Sequence, residues 1–215
     1  MTAREDADRW IDKVYRSTSP AELEATYDRW AADYDQDMQH VGYLHQPVIT
    51  GLVCRHVPRR DATILDAGVG TGAIGALLNI LGYNNLSGID MSAGMLERAA
   101  RRKCYADLRK ATLGEVLDFV DGSFDAIIST GTFTEGHAPA SAFDELARIL
   151  EPSGVLVFTV GTVVWEDNGF AAKLNALVAA GTLKPVEATP IYCPMPFSPL
   201  ENGFTARAHV YRKVG

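Results

Sequence analysis

Two stretches of this 215-residue chain hold residues whose types and spacing could carry chemistry. In the first, Asp66 is followed by Gly68, Gly70 and Gly72, and Asp90 stands twenty residues beyond Gly70. Glycines at that spacing permit positive φ and close backbone approach, and the amides opening a following helix favour an anionic group above the turn. A carboxylate such as Asp90 only accepts hydrogen bonds, which matches the vicinal hydroxyls of a ribose. In the second, Glu135 and His137 lie two residues apart after an apolar run, so either could serve as a general base, with His137 better matched to neutral pH. The same residues also fit a loop in which Glu135 is solvated and His137 points to water.

These residues need elements to hold them. Thr63, Ile64 and Leu65 read as a strand running into the glycine turn, and Ile74, Leu77, Leu78 and Leu81 recur at helical spacing beyond it. Residues 86–90 read as a second strand ending in Asp90, after which Ser92 caps a helix with Met95, Leu96, Ala99 and Ala100 inward. A third strand is expected over 108–113, and the near-continuous apolar runs 124–130 and 155–160 suit parallel strands buried on both faces. A helix opened by Ser141 and Asp144, with Leu146, Ile149 and Leu150, separates these runs, a helix over 171–180 follows, and residues 183–192 and 204–211 form an antiparallel pair at the sheet edge. The fold class is therefore α/β, a doubly wound and mostly parallel sheet.

Ahead of the sheet, residues 1–17 read as a short polar helix or mobile arm. Ser19, Pro20 and Glu22 give a helix start, and Leu23, Tyr27, Trp30 and Tyr34 follow on one helical face. That face is either a core stripe or a lid over the glycine site, the lid favoured by Asp28, Asp33, Asp35 and Asp37 around it. Residues 1–45 are accordingly read as a helical lid segment and 46–215 as the main domain, with a helix over 47–57.

With 47% hydrophobic and 22% charged residues, the chain has the composition of one soluble globular domain. A net charge of −7 argues against a nucleic-acid partner, which calls for a basic footprint. Cys54, Cys104 and Cys193 are odd in number and lack C-x-x-C spacing, so reduced buried thiols are expected rather than disulfides or zinc ligands. His40, His45 and His56 lack the spacing of a metal helix, and no metal is expected. A charged N-terminus and the lack of a long apolar run lead to the expectation of a cytoplasmic protein without a membrane partner.

The glycine spacing admits two registers. Gly70, Gly72 and Gly75 with Asp90 satisfy a dinucleotide pattern and would suit a nicotinamide-dependent oxidoreductase. Read from Asp66 and Gly68, the stretch Ile-Leu-Asp-Ala-Gly-Val-Gly-Thr-Gly (64–72) joins Gly-Ile-Asp-Met-Ser-Ala-Gly-Met-Leu (88–96), Asp-Gly-Ser-Phe-Asp-Ala-Ile-Ile-Ser (121–129) and Ala-Arg-Ile-Leu-Glu-Pro-Ser-Gly (147–154). This ordered series resembles the class I S-adenosylmethionine-dependent methyltransferases. Tyr-Asp-Arg-Trp-Ala-Ala-Asp-Tyr-Asp-Gln-Asp (27–37) is similar to the methyltransferase-like group encoded in the Williams–Beuren region. The resemblance implies a seven-stranded Rossmann-like sheet with S-adenosylmethionine as cofactor and a small-molecule methyl acceptor. It further implies that Gly68, Gly70 and Gly72 shape the cofactor loop, that Asp66 approaches the amino group of the methionine moiety, and that Asp90 binds the ribose with Met91 against the adenine. The adenine motif falls on Thr112, Leu113 and Gly114. Ser129 and Thr130 would border the transferred methyl, with Tyr34 and Trp30 covering it. A cofactor-binding module without transfer activity is the reading from a different class.

Overall fold

Helix α1 (Ala3–Tyr15) opens with a reciprocal cap, the Thr2 hydroxyl accepting from the Glu5 N–H and the Glu5 carboxylate from the Thr2 N–H. It is neither loose nor polar all round, because Ala7, Ile11 and Val14, spaced for one face, are buried with Leu23, Trp30 and Met38. Helix α2 (Pro20–Trp30) starts as its sequence predicts, with Ser19 Oγ accepting from the Glu22 N–H at 3.2 Å. The aromatic face expected on one helix is divided between two. Ala31 closes α2, and Tyr34 begins α3 (Tyr34–Val41), the corner being held by the Trp30 indole donating to Asp37 Oδ2 at 2.7 Å. Helix α4 (His45–His56) begins two residues ahead of Pro47, which is tolerated in a first turn where no donor is needed.

The structure is a computed structural model describing residues 2–201 and 203–215. From α4 the chain runs through β1 (Thr63–Ala67), α5 (Ala73–Ile80), β2 (Asn85–Asp90), α6 (Ala93–Arg101), β3 (Asp107–Lys110), β4 (Phe124–Phe133), α7 (Ala142–Ile149) and β5 (Leu150–Gly161). It ends with α8 (Val164–Asp167), α9 (Phe170–Ala179), β6 (Leu183–Ala188) and β7 (Ala206–Lys213). The strands form one seven-stranded sheet in the order β3-β2-β1-β4-β5-β7-β6. Only β7 runs against the rest, antiparallel to both β5 and β6, so the sheet is the mostly parallel α/β sheet expected.

Alternation along the strands divides the core. Leu65 and Ile127 turn to the face carrying Phe143, Leu146 and Phe170, whereas Ile64, Ala126 and Ile128 turn to the face carrying Ile49, Val53 and Leu78. Several expectations change in detail. The third strand stops at Lys110 rather than 113, because residues 111–115 leave the ladder to line a cavity. In α6 only Met95 and Ala99 are buried while Ala100 is exposed, and α5 packs through Ile74, Gly75 and Leu78 with Leu77 and Leu81 outward. Of the three free thiols only Cys104 is buried. Among the described residues no helix is long and apolar enough to cross a membrane.

Strand order reverses between β1 and β4, and in open α/β sheets ligands sit outside the carboxyl ends of strands at such a point. Helices α1–α3 pack across this end as a third apolar cluster. Three acids carried by α2 and α3 tie them to the sheet's loops. Glu24 pairs with Lys110 at 2.5 Å, Asp28 Oδ1 accepts from Ser92 Oγ at 2.6 Å and from the Gly94 N–H at 2.8 Å, and Asp35 takes both the Thr71 hydroxyl and the Arg102 guanidinium.

Candidate active site

The crevice at the switch point is a cavity of about 340 Å³. Its floor is the turn after β1. Gly68 sits at φ 85°, where a side chain would run into Thr132 Cγ2, so this turn closes against the end of β4 only with glycine. Asp90 stands at the end of β2, held by the Gly70 N–H at 2.8 Å and the Ser92 N–H at 2.9 Å. Burial raises the Asp90 carboxyl to about 6 against the pull of these amides. Met91, Thr112 and Leu113 line the same cavity, with Leu23 and Tyr34 from the N-terminal helices. Thr130 also lines it, and its buried hydroxyl has no partner among the described residues.

A second, smaller space of about 60 Å³ lies beside the first and shares Tyr27, Tyr34, Gly131 and His137 with it. Its remaining wall mixes aromatic residues, including Tyr15, Trp30, Tyr43 and Phe204, with aliphatic ones, and among the described residues no Asp, Glu, Lys or Arg lines it. Tyr27 and Trp30 stack at 6.1 Å, Trp30 meets Tyr34 edge-on at 4.7 Å, and Trp10 stacks on Trp30 at 6.0 Å. Burial carries the Tyr27 and Tyr34 phenols well above their ordinary range. His45, bonded through Nδ1 to the Tyr192 hydroxyl at 2.6 Å, is driven down to about 3 by burial and is neutral.

His137 connects the two spaces. Its Nδ1 lies 2.8 Å from the Glu135 carbonyl oxygen, which only accepts, so Nδ1 carries the proton. Its Nε2 is 2.9 Å from the Tyr27 hydroxyl. Burial lowers the His137 pKa, only partly offset by the Glu135 carbonyl. The neutral ring therefore presents a bare Nε2 to Tyr27, which donates.

Five expected residues do not reach the wall of the larger cavity. Asp66 is 3% exposed and receives the Tyr105 hydroxyl at 2.7 Å, and burial raises it to about 7 with Asp90 adding to the rise. One of its carboxylate oxygens, Oδ2, is thus engaged by an internal phenol. Gly72 sits behind the turn, its Cα facing Tyr105 and Ala99. Ser129 donates to the Ala67 carbonyl at 2.7 Å and bonds the Thr132 hydroxyl, so it stitches β1 to β4. Trp30 lines only the smaller space, and the Glu135 side chain is exposed, its backbone carbonyl alone serving His137. Conversely, Tyr15, Tyr43 and His45 belong to the site although nothing in their local spacing marked them. Tyr27, grouped with the aromatic face, has the more central place of contacting His137.

Residues 65–158 match the methyltransferase domain family. Methyltransferase-like protein 27 of Homo sapiens is 34% identical over 171 residues, covering 77% of this chain and 69% of that protein. Demethylmenaquinone methyltransferase of Clavibacter sepedonicus is 30% identical over 167 residues, covering 75% and 68% respectively. In fold, the chain is similar to geranyl diphosphate C-methyltransferase from Streptomyces coelicolor A3(2), solved with Mg2+, geranyl diphosphate and S-adenosyl-L-homocysteine. That likeness has a TM-score of 0.62 at 16% identity and covers 100% of this chain and 98% of the other. The protein belongs to the class I S-adenosylmethionine-dependent methyltransferases. It is an enzyme whose cofactor is S-adenosylmethionine, and the nicotinamide register of the glycines is set aside together with the reading as a module without activity.

Proposed function

We propose that the protein methylates a small molecule that enters the aromatic chamber beneath helices α1–α3. The observation carrying this reading is the small size and lining of the acceptor space, about 60 Å³ adjoining the larger cavity and walled by apolar and aromatic side chains. Among the described residues nothing charged lines this chamber to meet a nucleic-acid phosphate, and its volume suits a small acceptor.

In the same reading, the larger cavity holds the cofactor, with Asp90 accepting from the ribose hydroxyls and Met91, Thr112 and Leu113 around the adenine. Gly68 and Gly70 give the backbone room, and Thr130 borders the transferred methyl. When bound, the cofactor supplies an electrophilic methyl group. The chain's own contribution is placement, since holding the acceptor in line removes a large part of the barrier. Tyr34 and Tyr27 cover the meeting point of the two spaces and exclude water. Residues 1–45 form a lid, fastened by Glu24, Asp28 and Asp35, that must lift for ligands to exchange.

The test is transfer of labelled methyl from S-adenosylmethionine into a cell extract separated by mass. Label in the low-mass fraction is expected, and label confined to protein or nucleic acid would count against the proposal.

A further inference from the structure

The chamber that forms the proposed acceptor site combines two features. Its wall holds no charged side chain, and both of its histidines are neutral. It also holds a directed hydrogen-bond chain, from Tyr27 Oη to His137 Nε2 at 2.9 Å and from His137 Nδ1 to the Glu135 carbonyl at 2.8 Å. The carbonyl fixes the tautomer, so the nitrogen facing Tyr27 has a free lone pair.

We infer that the acceptor is a small uncharged molecule bearing a hydroxyl group, and that its proton leaves through Tyr27 to His137. This rests on the small-molecule reading above. Among the described residues the chamber wall offers a carboxylate no cation, leaving only the sulfonium beside it, and a partly paired buried charge is costly. The aromatic rings would attract an ammonium group, but an ammonium nitrogen has no lone pair with which to attack until it loses a proton. A hydroxyl acceptor fits both features, because it enters uncharged and its oxygen must shed a proton to the relay as it becomes an ether. In the balanced step, the acceptor oxygen gains the methyl carbon and gives its proton to Tyr27 Oη. The Tyr27 proton passes to His137 Nε2, and the sulfur keeps the electron pair of the bond that breaks. A sulfonium charge is thereby replaced by an imidazolium charge.

The groups around the relay come from several elements. Tyr15 of α1 stands edge-on to His137 at 6.1 Å, Tyr27 belongs to α2, Tyr34 to α3 and His45 to α4. Glu201 and Glu135 act on Tyr15 through space and lie outside the chamber wall. Tyr27 is thus the catalytic residue in contact with the acceptor, and His137 takes up the proton behind it.

The experiment uses the whole chain saturated with S-adenosylhomocysteine and three probes of similar size: phenol, benzoate and benzylamine. Saturation-transfer NMR should detect phenol, and phenol should shift the His137 ring resonances. Benzoate or benzylamine binding as well as phenol would overturn the inference. The 15N shifts of His137 should report a protonated Nδ1 and an unprotonated Nε2 near neutral pH, and the reverse tautomer would overturn the relay. In label transfer to the low-mass fraction of an extract, Tyr27→Phe should keep cofactor affinity and lose about 10²- to 10⁴-fold in rate, with His137→Gln losing a similar amount. A Tyr27→Phe rate within a few-fold of the parent overturns the relay while leaving the small-molecule reading intact. Label confined to macromolecules overturns both.

Discussion

Replacing Tyr105 by Phe tests how the glycine turn is held from beneath. The Tyr105 hydroxyl donates to Asp66 Oδ2 at 2.7 Å and accepts from the Gly75 N–H at 3.1 Å. Asp66 is 3% exposed, and its carboxyl is raised from 3.8 to about 7, first by burial and then by Asp90, with the Tyr105 bond opposing. Because the folded pKa lies above the unfolded one, stability is fully present below about pH 4 and is lost as pH rises through about 7. At 1.36 kcal/mol per pH unit that loss is on the order of 4 kcal/mol. Asp90, raised to about 6, contributes in the same direction. Above pH 7 the Tyr105 hydroxyl serves an ionised acceptor, worth about 1.5–3 kcal/mol, and at pH 5.5 a neutral one, worth about 0.5–1.5 kcal/mol. Urea unfolding of the cofactor-free protein should therefore show Tyr105→Phe costing roughly 1 kcal/mol more at pH 8 than at pH 5.5. The difference should vanish in an Asp66→Asn background, and Asp66→Asn alone should leave S-adenosylhomocysteine affinity nearly unchanged. An equal cost at both pH values would refute the argument.

Asp90→Ala removes the acceptor of two backbone amides and of the proposed ribose hydroxyls, so calorimetry should find S-adenosylhomocysteine bound about 1.5–3 kcal/mol more weakly. In the parent, affinity should fall as pH drops through about 6 and the carboxyl protonates, a dependence Asp90→Asn should flatten. Hydrogen exchange over residues 20–45 should slow on adding S-adenosylhomocysteine, and Asp28→Ala should restore faster exchange. Equal protection with and without ligand would return these helices to a fixed part of the core. Gly68→Ala forces a methyl group into Thr132 at φ 85° and should lower stability by more than about 1 kcal/mol in a thermal melt.

The sheet was legible because its signals are local. The runs 63–67, 124–130 and 155–160 are apolar enough for strands buried on both faces, and Ser19, Pro20 and Glu22 announce α2 without reference to anything distant. Asp90, Met91, Thr112, Leu113 and Thr130 could be brought to the cavity by the motif series, since the fold places strand ends together. What could not be read is pairing across the chain. Tyr27 meets His137 over 110 positions and Tyr105 meets Asp66 over 39, and no spacing rule links either pair. The motif resemblance points Asp66 at the amino group of the methionine moiety, whereas the phenol that bonds it comes from a loop with no marked pattern. The acids on α2 and α3 were visible as a polar excess, but their docking points on Thr71, Ser92 and Lys110 exist only once α2 and α3 lie on the sheet.

Gly75 completes a spacing that elsewhere admits a diphosphate to the start of a helix. Here a side chain at Gly75 would strike the Tyr105 hydroxyl, and the Gly75 N–H donates to that same oxygen. The electropositive end of α5 is thus partly satisfied by the protein's own phenol, which in turn leans on the Asp66 carboxylate. Tyr105 and Asp66 act as a built-in surrogate for the anion, so a nucleotide diphosphate arriving at this turn would find the Gly75 amide already engaged.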